Sequence, residues 1–293
     1  MDQADTEDGT GDDERTGRHA TGWHAPLPRA DAAGAARPRP VIRSVPPRAP
    51  LGWLARGWAD LRATRFVGVS YGAAFVAMGF AVAWVHATRW QLTMGLVGGF
   101  FLMGPFVCAG LYELSRRRAR GEPVRLLASL GCLRRNPGSL GLFAVLLTFL
   151  MIVWARVSVI LFALVSTTDF PTLQGVLGVI FSLDNPGFLV LWFGVGFLFA
   201  SLAFAVGVVA VPMMLDRDSD TLEAVFTSAR TLVANPRALY LWAVLVVLVI
   251  GSSLVLGLVP LLLTAPLVGH ATWHAYSDLI EPDVPCSASP SRR

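Results

Sequence analysis

The sequence predicts an all-α polytopic membrane protein, six transmembrane helices as three hairpins, each preceded by a cytoplasmic amphipathic helix. Three observations carry this expectation. The 293-residue chain has a mean hydropathy of +0.56 and only 15% charged residues, against roughly 25% in a typical soluble protein. The shortage of charge is local: residues 1–65 are polar, and beyond them long apolar runs alternate with short charged clusters, the profile of a membrane protein. The arginines then fall almost wholly on one side of the expected helices, which fixes their orientation.

The N-terminal region comes first. Asp2, Asp5, Glu7, Asp8, Asp12, Asp13 and Glu14 stand where a secretory signal would be basic and then apolar. From Ala25 to Pro50 the chain is rich in Pro, Ala and Arg without apolar periodicity. Residues 1–50 therefore read as a disordered cytoplasmic tail, 51–280 as a six-helix membrane domain and 281–293 as a short cytoplasmic tail. The first spanning helix then serves as the insertion signal.

A helix needs about 20 apolar residues to cross the hydrocarbon of a bilayer. Phe66–Val85, Gln91–Leu114, Leu140–Val165 and Gly187–Leu215 fit that length. The run Ala238–Gly269, about 48 Å long as a single helix, is too long for one crossing and contains Gly257, Pro260 and Pro266. It reads as a hairpin: a helix to Leu256, a turn at Gly257–Pro260 and a return helix to Ile280. The segment Phe170–Leu183 is too short to span and reads as an interfacial or re-entrant piece.

Every one of the 24 basic residues is Arg. Counting them tests the arrangement. Ten precede the first helix, seven lie between the second and third (Arg116, Arg117, Arg118, Arg120, Arg125, Arg134 and Arg135), three between the fourth and fifth (Arg217, Arg230 and Arg237), and Arg292 and Arg293 end the chain. Only Arg89 falls in an outer loop and only Arg156 within a helix. This bias places the N-terminus, and with six crossings the C-terminus, in the cytoplasm of a cell with an inner membrane. It also accounts for the pI of about 9.4 without a nucleic-acid partner.

An internal repeat supports the hairpins. SLGCLRRNPGSLGLFAVL (129–146) aligns with SARTLVANPRALYLWAVL (228–245), each Asn-Pro preceded by a short helical stretch and followed by a span. In the second copy Asp220 and Glu223 have capping-box spacing, and Leu222, Val225, Phe226, Ala229, Leu232 and Val233 share one helical face. A fainter copy, LARGWADLRATRFVGVSYG (54–72), has Leu54, Trp58 and Leu61 on one face and no Asn-Pro. The second helix of each hairpin carries a proline: Pro105, Pro212 and Pro266. Small residues spaced by four, Gly95/Gly99, Gly196/Ala200 and Ala203/Gly207, mark positions for close helix packing or dimerisation.

Few side chains point to chemistry. Arg156 is the only charge deep in an apolar run; about 24 Å into its helix, it reaches outer headgroups or pairs with Asp169 or Asp184. His270 and His274 share a helical face and can reach one metal ion, with Glu113, Asp216 and Asp278 as possible carboxylates; the other reading is an interfacial His and aromatic belt with Trp273 and Tyr276. On that reading the imidazoles face the bundle near Tyr112, Glu113 or Asp216, with Arg217 close by. A single-His haem ligand is open, a bis-His haem is not, since His86 lies at the opposite membrane face. Cys108, Cys132 and Cys286 form no metal-type pair. Arg116, Arg117, Arg118 and Arg120 read as topology determinants and as contacts for anionic lipids.

Five stretches together resemble the bacterial "domain of unknown function 2189" family of predicted integral membrane proteins: GPFVCAGLYELSRRRARGE (104–122), WARVSVILFAL (154–164), VPMMLDRDSD (211–220), NPRALYLWA (235–243) and GHATWHAYSDL (269–279). The resemblance covers about residues 45–280. It implies a membrane fold and no mechanism. Some relatives carry a cytochrome c oxidase label, but three membrane-region histidines do not make a catalytic oxidase core.

With no Walker A loop, GxSxG elbow or HExxH in the sequence, the leading expectation is a non-enzymatic accessory or scaffold component of the inner membrane, with membrane-protein partners or a homodimer. A transporter or channel is the alternative, from the repeats and proline-broken helices. A metal- or haem-binding protein centred on His270 and His274, associated with respiratory oxidases, is the third. The cofactor is unknown in all three.

Overall fold

The computed structural model describes residues 40–89, 93–164 and 186–281. They fold as α1 (Ala49–Thr64), α2 (Phe66–Thr88), α3 (Thr93–Ala119), α4 (Leu126–Leu130), a 3₁₀ turn (Gly131–Arg134), α5 (Pro137–Ala163), α6 (Pro186–Gly207), α7 (Ala210–Arg217), α8 (Thr221–Ala234), α9 (Pro236–Val255) and α10 (Leu261–Leu279). Residues 1–39, most of the expected tail, lie outside the described residues, as do Phe170–Leu183, Asp169 and Asp184. The folded unit begins at Pro40, ahead of the expected boundary at residue 50.

Among the described residues five stretches are long and apolar enough to cross a membrane: α2, the Gly95–Ala119 part of α3, α5, α6 with α7 (Pro186–Arg217), and α9. They match the first five expected spans to within a few residues. The expected return helix forms as α10, but it is not among these five.

Proline shapes the second helix of each pair. Pro212 cannot donate to the carbonyl of Val208, and its ring crowds that oxygen. The expected single helix Gly187–Leu215 is accordingly divided at Val208–Val209. The freed N–H of Val209 donates to Ser228 Oγ of α8 (3.4 Å). Pro105 and Pro266 remain inside α3 and α10. Pro266 leaves the Leu262 carbonyl without its helical donor, and that oxygen lies against Gly72 of α2, where a Cβ would overlap it.

The turn between α9 and α10 uses left-handed backbone at Gly257 (φ 88°) and Leu258 (φ 71°). Ser253 and Thr264 bond across it (2.8 Å). At the other end, Trp53 stands edge-on to Trp242 of α9 (5.8 Å) and donates to Asp278 of α10 (2.8 Å). The two helices are therefore antiparallel.

The packing is cyclic. Helices pair as α2 with α3, α5 with α6, and α9 with α10, while α3, α7 and α10 meet one another. Each short helical segment packs on the second helix of the preceding pair: α4 and the 3₁₀ turn on α3, α8 on α6, and α1 on α10. The repeat asparagines fasten this order. Asn136 donates to the carbonyls of Met214 (3.4 Å) and Ser219 (2.8 Å), just ahead of α8. Asn235 donates to the Arg43 carbonyl (3.0 Å) and accepts from the Val45 N–H (2.9 Å), just ahead of α1. Both asparagines sit between helices, each followed by Pro at the first helical position, where proline's fixed φ fits. The circle closes where Ile42 pairs with Ile280: Arg43 N–H donates to the Leu279 carbonyl (2.8 Å) and Glu281 N–H to the Val41 carbonyl (3.0 Å). The two ends of the described unit thus meet at one end of the bundle.

The expected amphipathic faces need correction. The first copy is a five-residue helix and a 3₁₀ turn, not one amphipathic helix. In α1 the buried side carries Trp53, Gly57, Asp60, Leu61 and Thr64, whereas Trp58, expected on one face with Leu61, is exposed beneath Arg62 (5.1 Å). In α8 the expected apolar face is split: Leu222, Phe226 and Val233 are 64%, 66% and 80% exposed, Val225 and Ala229 are half-buried, and Leu232 is buried with Thr221, Ala224, Thr227, Ser228 and Thr231. The inward polar side chains are satisfied. Thr221 donates to the Ser139 carbonyl (2.8 Å), Thr231 to the Thr227 carbonyl (2.7 Å), and Ser228 accepts from Val209.

Candidate functional site

The chemistry-bearing side chains gather at the end of the bundle where Ile42 and Ile280 meet. His270, fully buried on α10, and His274, one turn further on, reach α1 and α3. Ser115 of α3 donates to Asp60 Oδ2 (2.6 Å), and the same oxygen accepts from His274 Nε2 (2.9 Å). Having given its one proton to Asp60, Ser115 Oγ accepts from His270 Nδ1 (2.7 Å). His270 is then the neutral Nδ1–H tautomer, with Nε2 facing Thr64 Oγ1 at 3.4 Å. Arg118 pairs with the other oxygen of Asp60. Burial works to raise the Asp60 pKa, but the bonds from His274 and Ser115 and the nearby imidazoles outweigh it and hold the carboxyl below its ordinary value.

A second cluster lies beside the first on α3. Glu113, almost wholly buried, accepts from Arg116 (2.8 and 3.1 Å), Arg117 (2.8 Å) and Arg135 (3.2 Å). Asp216 of α7 lies 4.0 Å from Arg116 and 3.6 Å from Arg120, and accepts from the Tyr276 hydroxyl (3.1 Å). Arg217 donates to the Glu281 carbonyl, and Trp273 packs against Tyr276 (5.4 Å). Tyr112 is buried one residue before Glu113, and Thr272 of α10 donates to the Val268 carbonyl (2.8 Å).

The two histidines thus face the bundle, but their partners are Asp60, Ser115 and Thr64, not Tyr112, Glu113 or Asp216. They bond to separate atoms and do not converge on one point. Among the described residues no group of three His, Cys, Asp or Glu side chains is placed to hold a metal ion. Asp60 is absent from the candidates that the sequence offers because the fainter copy of the repeat (54–72) shows only an apolar face. The signal was present: Asp60 is the lone acid of α1, whose other charged residues are Arg56 and Arg62. Arg156 is exposed on α5, away from both clusters. Cys132 is buried, which pushes its thiol up to about 11, and both Cys132 and Cys108 are free.

Next to the polar clusters a cavity of about 480 Å³ lies among α3, α5, α6, α7, α9 and α10, walled almost wholly by apolar side chains. The small residues expected to bring helices together are not at close crossings. Gly196, Ala200, Ala203 and Gly207 line this cavity, and beside Gly95 and Gly99 a Cβ would find open space. The close crossings lie elsewhere. At Gly57 of α1 a Cβ would stand 2.8 Å from the Ala271 nitrogen of α10, and Gly72 plays the same part on α2.

Five apolar helical spans in an all-helical fold define a multi-pass integral membrane protein. Residues 92–216 match the model of the family described as "Predicted integral membrane protein (DUF2189)". It is the family that the sequence resembles, and the match runs from the start of α3 to α7. The asparagine-proline of the second repeat and the GHATWHAYSDL stretch lie beyond the matched residues. No curated protein and no solved structure matches the chain.

Proposed function

We propose that this chain is a non-enzymatic accessory or scaffold component of the cell inner membrane, crossing it six times with both termini on the cytoplasmic side. One observation carries the non-enzymatic reading: the buried acids Asp60 and Glu113 and the partly buried Asp216 are each engaged by two or more donors from the chain itself. The polar groups are spent on joining α1, α3, α7 and α10. The topology is supported by the arginine bias, by the antiparallel α9 and α10, and by the meeting of Ile42 with Ile280 at one end. α10 is less apolar than the other spans because it faces protein on most sides. Polar groups at membrane depth are tolerated where they are buried in protein and paired. The outward apolar face of α8 is suited to lie at the headgroup boundary. Anionic lipids contact the half-exposed Arg118 and Arg120, Arg116 and Arg117 being engaged by Glu113.

The test is purification of the full chain in detergent with metal analysis, beside His270→Ala and His274→Ala. Both variants should melt earlier with no change in bound metal. Stoichiometric zinc, copper or iron in the wild type, lost in both variants, would replace the scaffold with a metal protein. A phosphatase fused after Arg293 should be inactive; activity outside the cell would mean five crossings.

A further inference from the structure

We propose that the apolar cavity holds an acyl chain of a bilayer lipid, drawn sideways from the membrane into the bundle. The inference is independent of the scaffold role.

The cavity is a consequence of how unevenly the three repeats pack. Where the third pair meets the first, Gly57 and Gly72 let α1 and α2 lie directly on α10. The corresponding faces of α6 are also built of small residues, Gly196, Ala200, Ala203 and Gly207, but among the described residues no helix backbone fills the space they leave. Bulky side chains stand around it instead: Trp154 of α5, Phe199 and Phe204 of α6, and Trp242 of α9. In hydrocarbon, helix association depends on close packing. An unfilled space of this size forfeits the dispersion contacts of its lining.

Three features name the occupant. The volume of about 480 Å³ lies in the usual range for ligand sites, and its wall offers no charge. One end is shut. Tyr112, Val211 and Thr272 line the cavity, and four to five residues further along the same helices Arg116, Asp216 and Tyr276 meet one another. A charged or water-borne ligand coming from that side must break this layer. The rim, in contrast, runs into apolar surface: Phe101 both lines the cavity and is about half exposed, and Phe149, Phe193 and Phe197 are exposed on the neighbouring faces of α5 and α6. All but Val268 and Thr272 of the lining belong to the five apolar spans, so what borders the rim is lipid hydrocarbon. A flexible, uncharged chain already present at the rim matches the length, the lining and the way in. Beyond Tyr112 and Thr272 the charged layer closes that end, so the occupant reaches it with its terminal methyl and leaves its headgroup outside.

The experiment uses the full chain in phosphatidylglycerol vesicles that carry a photoactivatable diazirine on one acyl chain. After illumination the labelled peptides are mapped by mass spectrometry. Label is expected on the cavity side of α5 and α6, at Leu150, Met151 and Ala203. Ala203→Phe, which fills the cavity, should lose that label while keeping the label on outward-facing Phe149 and Val247. Met151→Ala, which enlarges the cavity, should keep or gain it and serves as the arm that does not depend on Ala203→Phe folding. Label on Phe149 and Val247 but none on the cavity side in the wild type would overturn the proposal. So would cavity label that persists unchanged in folded Ala203→Phe, or that is lost in Met151→Ala.

Discussion

The two sides of this bundle solve the same packing problem differently. Around α10, helices α1 and α2 approach to backbone contact at Gly57 and Gly72, and buried polar side chains fasten α1 and α3 to α10. Around α6, small residues at the same kind of spacing face a cavity. A stripe of glycine and alanine therefore does not by itself bring helices together. On the α10 side it is joined by Asp60, Ser115, His270 and His274, whose bonds are satisfied only at close range. On the α6 side no such group is present in the cavity wall. Polar side chains can specify a unique packing in this way, at the cost that each becomes expensive to remove.

That difference is broken most severely at Asp60. Its carboxylate holds His274, Ser115 and Arg118 together. Asp60→Ala leaves the Arg118 guanidinium, the His274 ring N–H and the Ser115 hydroxyl without their acceptor, and breaking a buried ionic cluster costs about 3–5 kcal/mol. The expected outcome is a large fall in melting temperature of the detergent-solubilised chain. A change as small as that of an exposed substitution would show that α1 is not fastened through Asp60.

The next contrast is between glycines. Gly72→Ala places a methyl on the Leu262 carbonyl, whereas Gly196→Ala meets only the edge of Trp154 at 3.4 Å. Overpacking against backbone costs about 1–3 kcal/mol. Gly72→Ala should therefore lower the melting temperature clearly and Gly196→Ala only slightly. Equal effects would remove the distinction between the closed and open sides.

Acid sharpens the same comparison with a smaller effect. The Asp60 carboxyl ionises at lower pH in the fold than in the unfolded chain. Its contribution is fully present above the ordinary value of about 3.9 and is lost as pH falls through the lower folded value. Melting curves for wild type and Asp60→Asn should converge as the pH is taken below that range. Curves that stay parallel would assign the polar junction to other groups.

Much of this was readable from the residues. Helix lengths followed from apolar runs, because only hydrocarbon thickness sets them. Asn136 and Asn235 marked the starts of α5 and α9, because proline disfavours helical backbone at the residue before it. What could not be read was direction. Period alone shows that α8 has an apolar and a polar face, but not that Phe226 looks out while Thr231 looks in, since beside a membrane both sides can be apolar. Likewise the spacing of His270 and His274 shows that they share a face, but not that Asp60, over two hundred residues earlier in the chain, lies opposite. The break at Val208–Val209 was signalled by Pro212, yet the sequence did not reveal that Ser228 would receive the freed N–H.

The central claim is that α10, the one helix of the three pairs not apolar enough to stand among the five spans, is the one most firmly held. Amide hydrogen exchange on the full chain in detergent, followed peptide by peptide, tests it directly. Peptides covering Ala265–Leu279 of α10, together with Trp53–Thr64 of α1, should exchange more slowly than those covering Gly196–Gly207 of α6 beside the cavity. Protection that simply follows apolarity, with α6 slowest and α10 exchanging first, would contradict the account.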